Sequence, residues 1–387
     1  MTSHFSPGDA DRRSSRRRFI GGTSTLAAAL VLGPSFLAAC GNDSAGSRPE
    51  RKAGDATGKL RISNWPEYVA DGFVAAFQSA TGLVVDYEED FDDDGDWFLC
   101  LGEVLVREED VGADLVMWSR FMATKLKGLG WLNQISESRW PNKKNLRPDL
   151  LGANVDPGRK FSAPYMSGMV GLAYNRAATN RDITEVADMW DPAFKGRVSL
   201  FTDLRAGLGM IMLSQGSSLD DPTAQTVQKA VDLVKVQKDS GQILRFTGND
   251  YADDLTSGKA VIAQAYSGDI IALQKDNPDL RFVVPAAGGT TFLDNMVIPY
   301  TTENQAAAEE WINYVYDRAN YAKLVAYTQY VPVLSDMTDD LNKIDKNLAE
   351  NPLINPPQAT LDKLKHWPAM TDQQSQEFTR AYQAVTR

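Results

Sequence analysis

The apolar positions of the chain change period several times, and each change marks an element. Lys59–Ser63 alternates polar and apolar residues, the period of a half-buried strand, and Leu83–Tyr87 is a second β-rich run. Between them, Val69–Ala80 sets Phe73, Ala76 and Phe77 at helical spacing and ends at Thr81-Gly82. Val104–Val106 sits in a further helical stretch, and Ala113–Met117 has the pattern of a buried strand. Strand, helix, strand, helix, strand predicts an α/β lobe with a mainly parallel sheet.

The alternation then starts again. Phe161–Tyr165, Met169–Tyr174 and Arg197–Phe201 read as strands, followed by helices at Asp203–Gln215 and Asp221–Ser240. Ala260–Ala265 is a strand, Ile270–Lys275 opens another helix, and Phe282–Val284 and Thr291–Ile298 give two more strands. From Asn304 on the pattern is mostly helical, with Ala306–Arg318, Tyr321–Gln329 and Gln373–Thr386. A folded part of about 330 residues exceeds one typical core, so two α/β lobes are expected. A ligand then belongs in the crevice between them, outside the carboxyl ends of the strands.

The first 39 residues do not fit that pattern. They are basic and polar to Arg18, then apolar from Thr25 to Ala39 with a break at Gly33-Pro34. The apolar part falls short of the roughly 20 residues a spanning helix needs, so it reads as a cleavable signal. Ser15-Arg16-Arg17-Arg18-Phe19-Ile20 resembles a twin-arginine export motif. Leu37-Ala38-Ala39-Cys40 resembles a lipobox, which implies cleavage before Cys40 and a lipid on its thiol. Residues 41–58 hold no large apolar side chain and read as a flexible tether. The expected location is extracytoplasmic, lipid-anchored to the cell membrane.

Charge and composition narrow the function. Of 40 basic and 51 acidic residues, five arginines and two aspartates fall in the signal, leaving 35 basic and 49 acidic in the rest. That excess of acid argues against nucleic-acid binding and fits either a cationic ligand or plain solubility. Cys100 is the only cysteine besides Cys40, so no intramolecular disulfide is expected once Cys40 is lipidated. His4 and His366 are the only histidines, and the chain has no P-loop, no zinc-type histidine pair and no Gly-x-Ser-x-Gly elbow. An enzyme is not expected, and no cofactor or resident metal is called for.

The strand ends carry a further signal. Asn64-Trp65-Pro66-Glu67-Tyr68, Asp114-Leu115-Val116-Met117-Trp118-Ser119, Met189-Trp190-Asp191-Pro192-Ala193-Phe194-Lys195-Gly196, Tyr266-Ser267-Gly268-Asp269 and Gly288-Gly289-Thr290-Thr291-Phe292-Leu293-Asp294-Asn295 occur in this order. Together they resemble the spermidine/putrescine-binding proteins of ABC importers, over nearly all of residues 59–387. The resemblance implies a type II periplasmic-binding-protein fold, with one lobe at 59–166 and 268–311 and the other at 167–267 and 312–387. It also implies a monomer that captures a polyamine or related small cation and delivers it to a membrane permease.

Such a site needs carboxylates for ammonium groups and aromatic faces for the methylene stem. The candidates are Trp65, Tyr68, Phe121 and Tyr266 as walls, Glu67, Asp203, Asp269 and Asp294 as anions, and Ser119 as a hydroxyl partner. For Asp269 a helix-capping role is the other reading, since Ser-Gly-Asp precedes a helix. The chain departs from the family at Leu204 and Gly207, where carboxylates stand in spermidine binders, and Tyr266 replaces a tryptophan. One ammonium pocket is therefore expected to be missing. The acid run 88–96 either compensates or is a solvated loop; Asp90, Asp92 and Asp94 imitate part of a calcium loop, but Leu101 stands where its last acid should be. Another small cation or ferric iron is the alternative ligand, the latter suggested by the Tyr-rich stretch Tyr321–Tyr330.

Overall fold

The computed structural model describes residues 55–387 apart from residues 57, 91–93, 153–155 and 369. The expected signal, Cys40, most of the tether and Asp92 of the acid run lie outside the described residues.

Among the described residues there are ten strands: β1 (Lys59–Asn64), β2 (Val84–Glu89), β3 (Leu115–Ser119), β4 (Ala163–Asn175), β5 (Val198–Phe201), β6 (Ile243–Thr247), β7 (Ile262–Tyr266), β8 (Leu280–Val283), β9 (Gly289–Val297) and β10 (Leu364–Lys365). They join in one sheet with the order β2-β1-β3-β9-β4-β7-β5-β6, while β10 pairs with β9 and β8 with β4. Both ends of this sheet are parallel, β2-β1-β3 at one and β7-β5-β6 at the other. The middle is antiparallel: β9 pairs with β3 and β4, and β4 pairs with β7 and β8.

Two α/β halves are thus linked through β4 and β9. In β3, Leu115 and Met117 face one apolar cluster while Val116 and Trp118 face another, so the strand is buried on both faces. That is why its sequence is a continuous apolar run rather than an alternation. The thirteen-residue β4 reads in sequence as two strands, because Ser167-Gly168 interrupts the apolar pattern. Its first half, Ala163–Val170, pairs with β9, and its second half, Val170–Asn175, pairs with β7 and β8.

The packing redraws the expected lobe boundaries. Ile312, Tyr321, Leu341 and Ile354 share a cluster with Leu60 and Phe77 of the first half. Leu280 packs instead with Leu172 and Ile262 of the second half, which the chain rejoins at its end through Trp367, Phe378 and Tyr382. A helical period shows that a face is buried, not which sheet buries it.

Candidate functional site

The site grows from the ends of β1 and β7 and from within β9. After β1 the chain turns through Glu67, whose φ of 56° is left-handed, and this turn drops Tyr68 inward, 8% exposed. The Tyr68 hydroxyl donates to Asp294 Oδ2 at 2.6 Å, and its carbonyl accepts the Tyr165 hydroxyl at 2.6 Å. Asp294 lies on β9 opposite Ser119 of β3 and is itself 8% exposed. Ser119 caps the helix Arg120–Gly128, its Oγ accepting the Met122 N–H at 3.3 Å.

The second half contributes Asp269, in the first turn of the helix Ser267–Gln274 that follows β7. It does not cap that helix. Its carboxylate accepts the hydroxyls of Tyr251, at 2.5 Å, and Tyr330, at 2.8 Å. Burial raises its pKa above the usual carboxylate range; the two hydroxyls oppose this and the negative charge of Glu67 adds to it. The helix N-terminus is the favoured end for a negative charge. Tyr68, Tyr251 and Tyr330 are themselves pushed well up, by burial first and then by the neighbouring carboxylates, so they stay protonated donors.

Aromatic rings fill the space around these carboxylates. Tyr330 lies edge-on to Tyr68 at 6.0 Å and to Phe292 at 5.2 Å. Tyr266 packs against Phe292 at 5.5 Å and Phe201 at 4.9 Å. Gly268 admits this arrangement, since a Cβ there would stand 2.5 Å from the Tyr330 ring. Burial raises the Tyr266 hydroxyl pKa, and Asp203, Asp269 and Asp294 raise it further. An organic cation suits such a box: acceptors inside, π faces around.

Of the residues expected from sequence, Tyr68, Tyr266, Asp269 and Asp294 meet here, with Glu67 close enough to bias Asp269. Asp203 is exposed and caps the helix Leu204–Ser214, its Oδ1 accepting the N–H groups of Arg205 and Ala206 at 2.9 and 2.8 Å. Trp65 is half-buried and packs on the apolar clusters of the first half. Phe121 differs most from expectation: the Arg205 guanidinium lies 3.7 Å from its ring centroid, so a protein cation from the other half covers that face.

Tyr251, Phe292 and Tyr330 were not among the expected residues. Tyr330 ends the Tyr-rich stretch that hinted at iron, but its neighbour in that hint, Tyr321, is fully buried and donates to the Tyr165 carbonyl. Gly207 explains one family departure. A Cβ there would come 2.4 Å from the Tyr382 hydroxyl, so the C-terminal helix occupies the place of a carboxylate side chain. In the acid run, Asp90 accepts the Ser63 hydroxyl. Among the described residues no group of three or more His, Cys, Asp or Glu is placed to hold a metal ion.

Comparison with known proteins adds to this geometry. Residues 72–356 match the family model described as bacterial extracellular solute-binding protein. The spermidine/putrescine-binding periplasmic protein 1 of Haemophilus influenzae is 26% identical over 352 residues, 90% of this chain and 94% of that protein. The putrescine-binding periplasmic protein SpuD of Pseudomonas aeruginosa is 25% identical over 347 residues, covering 84% of this chain and 91% of its own length. Among solved structures, a putative spermidine/putrescine ABC transporter protein from Listeria monocytogenes superposes with a TM-score of 0.76 at 23% identity. It covers 85% of this chain and 99% of that one. The Streptococcus pneumoniae substrate-binding protein PotD gives 0.74 at 24% identity, over 86% of this chain and all of its own. The fold is the type II arrangement of periplasmic binding proteins. Family proteins of this kind bind solutes for transport and are not enzymes. The chain belongs to the bacterial extracellular solute-binding proteins.

Proposed function

We propose that this protein captures a polyamine, or a closely related small organic cation, between its two halves and delivers it to the membrane permease of an ABC importer. The observation that carries this reading is the pairing of Asp269 and Asp294, each held by tyrosine hydroxyls inside one aromatic cluster. An ammonium group gains about 0.5–2 kcal/mol over an aromatic face and about 1.5–3 kcal/mol per charge-assisted hydrogen bond. The names of its relatives, which bind spermidine or putrescine, favour this ligand class over ferric iron. The Tyr321 and Tyr330 hydroxyls, spent as donors to a carbonyl and a carboxylate, favour it too.

Entry of the ligand requires the halves to part, since Tyr68 and Asp294 are almost closed off from solvent. β4 and β9 pass from one half to the other and are the natural hinge. In this reading the candidate residues Trp65, Ser119, Phe121 and Asp203 stand as secondary contacts to the ligand. The protein acts as a monomer held outside the cytoplasm by a lipid on Cys40, close to its permease.

A thermal-shift series with putrescine, spermidine and Fe(III) tests the ligand class. Stabilisation by an amine that saturates with concentration is the expected result. Stabilisation by ferric iron alone would replace the proposal with its alternative.

A further inference from the structure

A second charged site, built from other residues than the acid–aromatic cluster, lies on the first half. Arg120, Ala123, Thr124 and Lys127 line one side of a small pocket, at the i, i+3, i+4, i+7 spacing of a single helix face. The loop before β4 closes it with Asp156 and Arg159, and Asn295 of β9 forms part of its wall. The surplus of positive charge here runs against the acidic character of the whole chain.

Arg159 is 1% exposed, and its φ of 51° is left-handed. Its Nε donates to the Leu150 carbonyl at 2.6 Å and its Nη1 to Ser162 Oγ at 3.3 Å, while Nη2 is buried with no hydrogen-bond partner. Asp156 does not neutralise it directly. The Asp156 carboxylate accepts the N–H groups of Lys160, Phe161 and Ser162 and the Ser162 hydroxyl, and it pairs with Lys127 at 3.7 Å. Among the described residues no carboxylate forms an ion pair with Arg120 or Arg159, and burial pulls both guanidinium pKa values down. Burying a cation without a partner is costly, and that cost falls when an anion shares the cavity.

We propose that this pocket binds a small monovalent anion of halide size, held by Arg159 Nη2 and the Arg120 guanidinium. Size follows from the pocket, whose free interior takes about one water-sized sphere. A halide, somewhat larger than water, accepts from both guanidinium groups and removes the unpaired charge once either side chain shifts slightly outward; a phosphate or a larger organic acid is too large. Occupancy ties the helix Arg120–Gly128 to the loop before β4 and to the strand that carries Asp294. The anion thereby stiffens the half that supplies one of the two cation-binding carboxylates.

Crystals grown with bromide in place of chloride supply the direct test. An anomalous peak between Arg120 and Arg159 is expected, and a peak-free map with both side chains ordered would overturn the proposal. In solution, thermal unfolding at constant ionic strength should occur about 2 °C or more higher in chloride than in gluconate, which is too large for the pocket. Arg120→Met, on a half-buried helix position, should fold and lose that difference. Arg159→Met should lose it too, and the Arg120 variant decides the matter if the other does not fold. Equal melting in both salts, or a chloride effect that survives Arg120→Met, would show that the pocket holds water.

Discussion

Asp269 is the residue whose chemistry most depends on its surroundings. Burial raises its folded pKa above the ordinary value near 4, so the unliganded protein gains stability from it as pH falls and loses that contribution as pH rises through the raised pKa. Ligand binding has the opposite sign. A protonated Asp269 no longer attracts an ammonium group, so affinity for a diamine should fall as pH drops through the raised pKa, and binding near that pH should release protons. Calorimetry in two buffers of different ionisation heat measures that release; equal heats in both would mean Asp269 is not in contact with the cation. Sequence made Asp269 and Asp294 visible because both sit in motifs the resemblance picks out, one just after β7 and one within β9. It hid Tyr330 and Tyr251, which come from distant segments and meet Asp269 only through the fold.

Among the elements, the join between β1 and β3 rests on one buried carboxylate. Asp114 is fully buried and accepts the Arg61 backbone N–H at 3.0 Å, the Arg61 guanidinium at 3.0 and 2.8 Å, and the Thr302 hydroxyl at 2.7 Å. Asp114→Ala removes these hydrogen bonds while leaving Arg61 its contact with Asp110 at 2.6 and 3.2 Å, and should cost about 1–3 kcal/mol in denaturant unfolding. A loss under 1 kcal/mol would show that the network is dispensable. Sequence resemblance flagged Asp114 within a site motif, yet its partners make it a structural tie. Strand positions were legible from period and apolar runs, while β6 and β10 were not: β6 exposes Leu244 and Arg245, and β10 has two residues. Nor could periodicity show that β4 is continuous, because Gly168 interrupts the pattern where the strand passes between halves.

For the whole molecule, the sequence indicated two α/β halves but misplaced the chain's later crossings. Helices after β9 return to the first half, and only the last turns of chain pack on the second. Phe121 and Arg205 touch across that division, a contact that no strand-end motif announces. The membrane tether proposed at Cys40 is separable from the binding site. Cys40→Ser should therefore move the exported protein from the membrane fraction to the soluble one without changing its affinity for a cation. Retention on the membrane would place the anchor elsewhere.

Titration calorimetry with putrescine and spermidine, on the natural protein and on Asp269→Asn, tests cation capture most directly. Saturable binding of at least one amine is expected, weakened at least tenfold by the substitution, as loss of a charge-assisted contact of about 1.5–3 kcal/mol implies. No saturable heat with any polyamine up to millimolar concentration, or equal affinity in the two folded proteins, would contradict it.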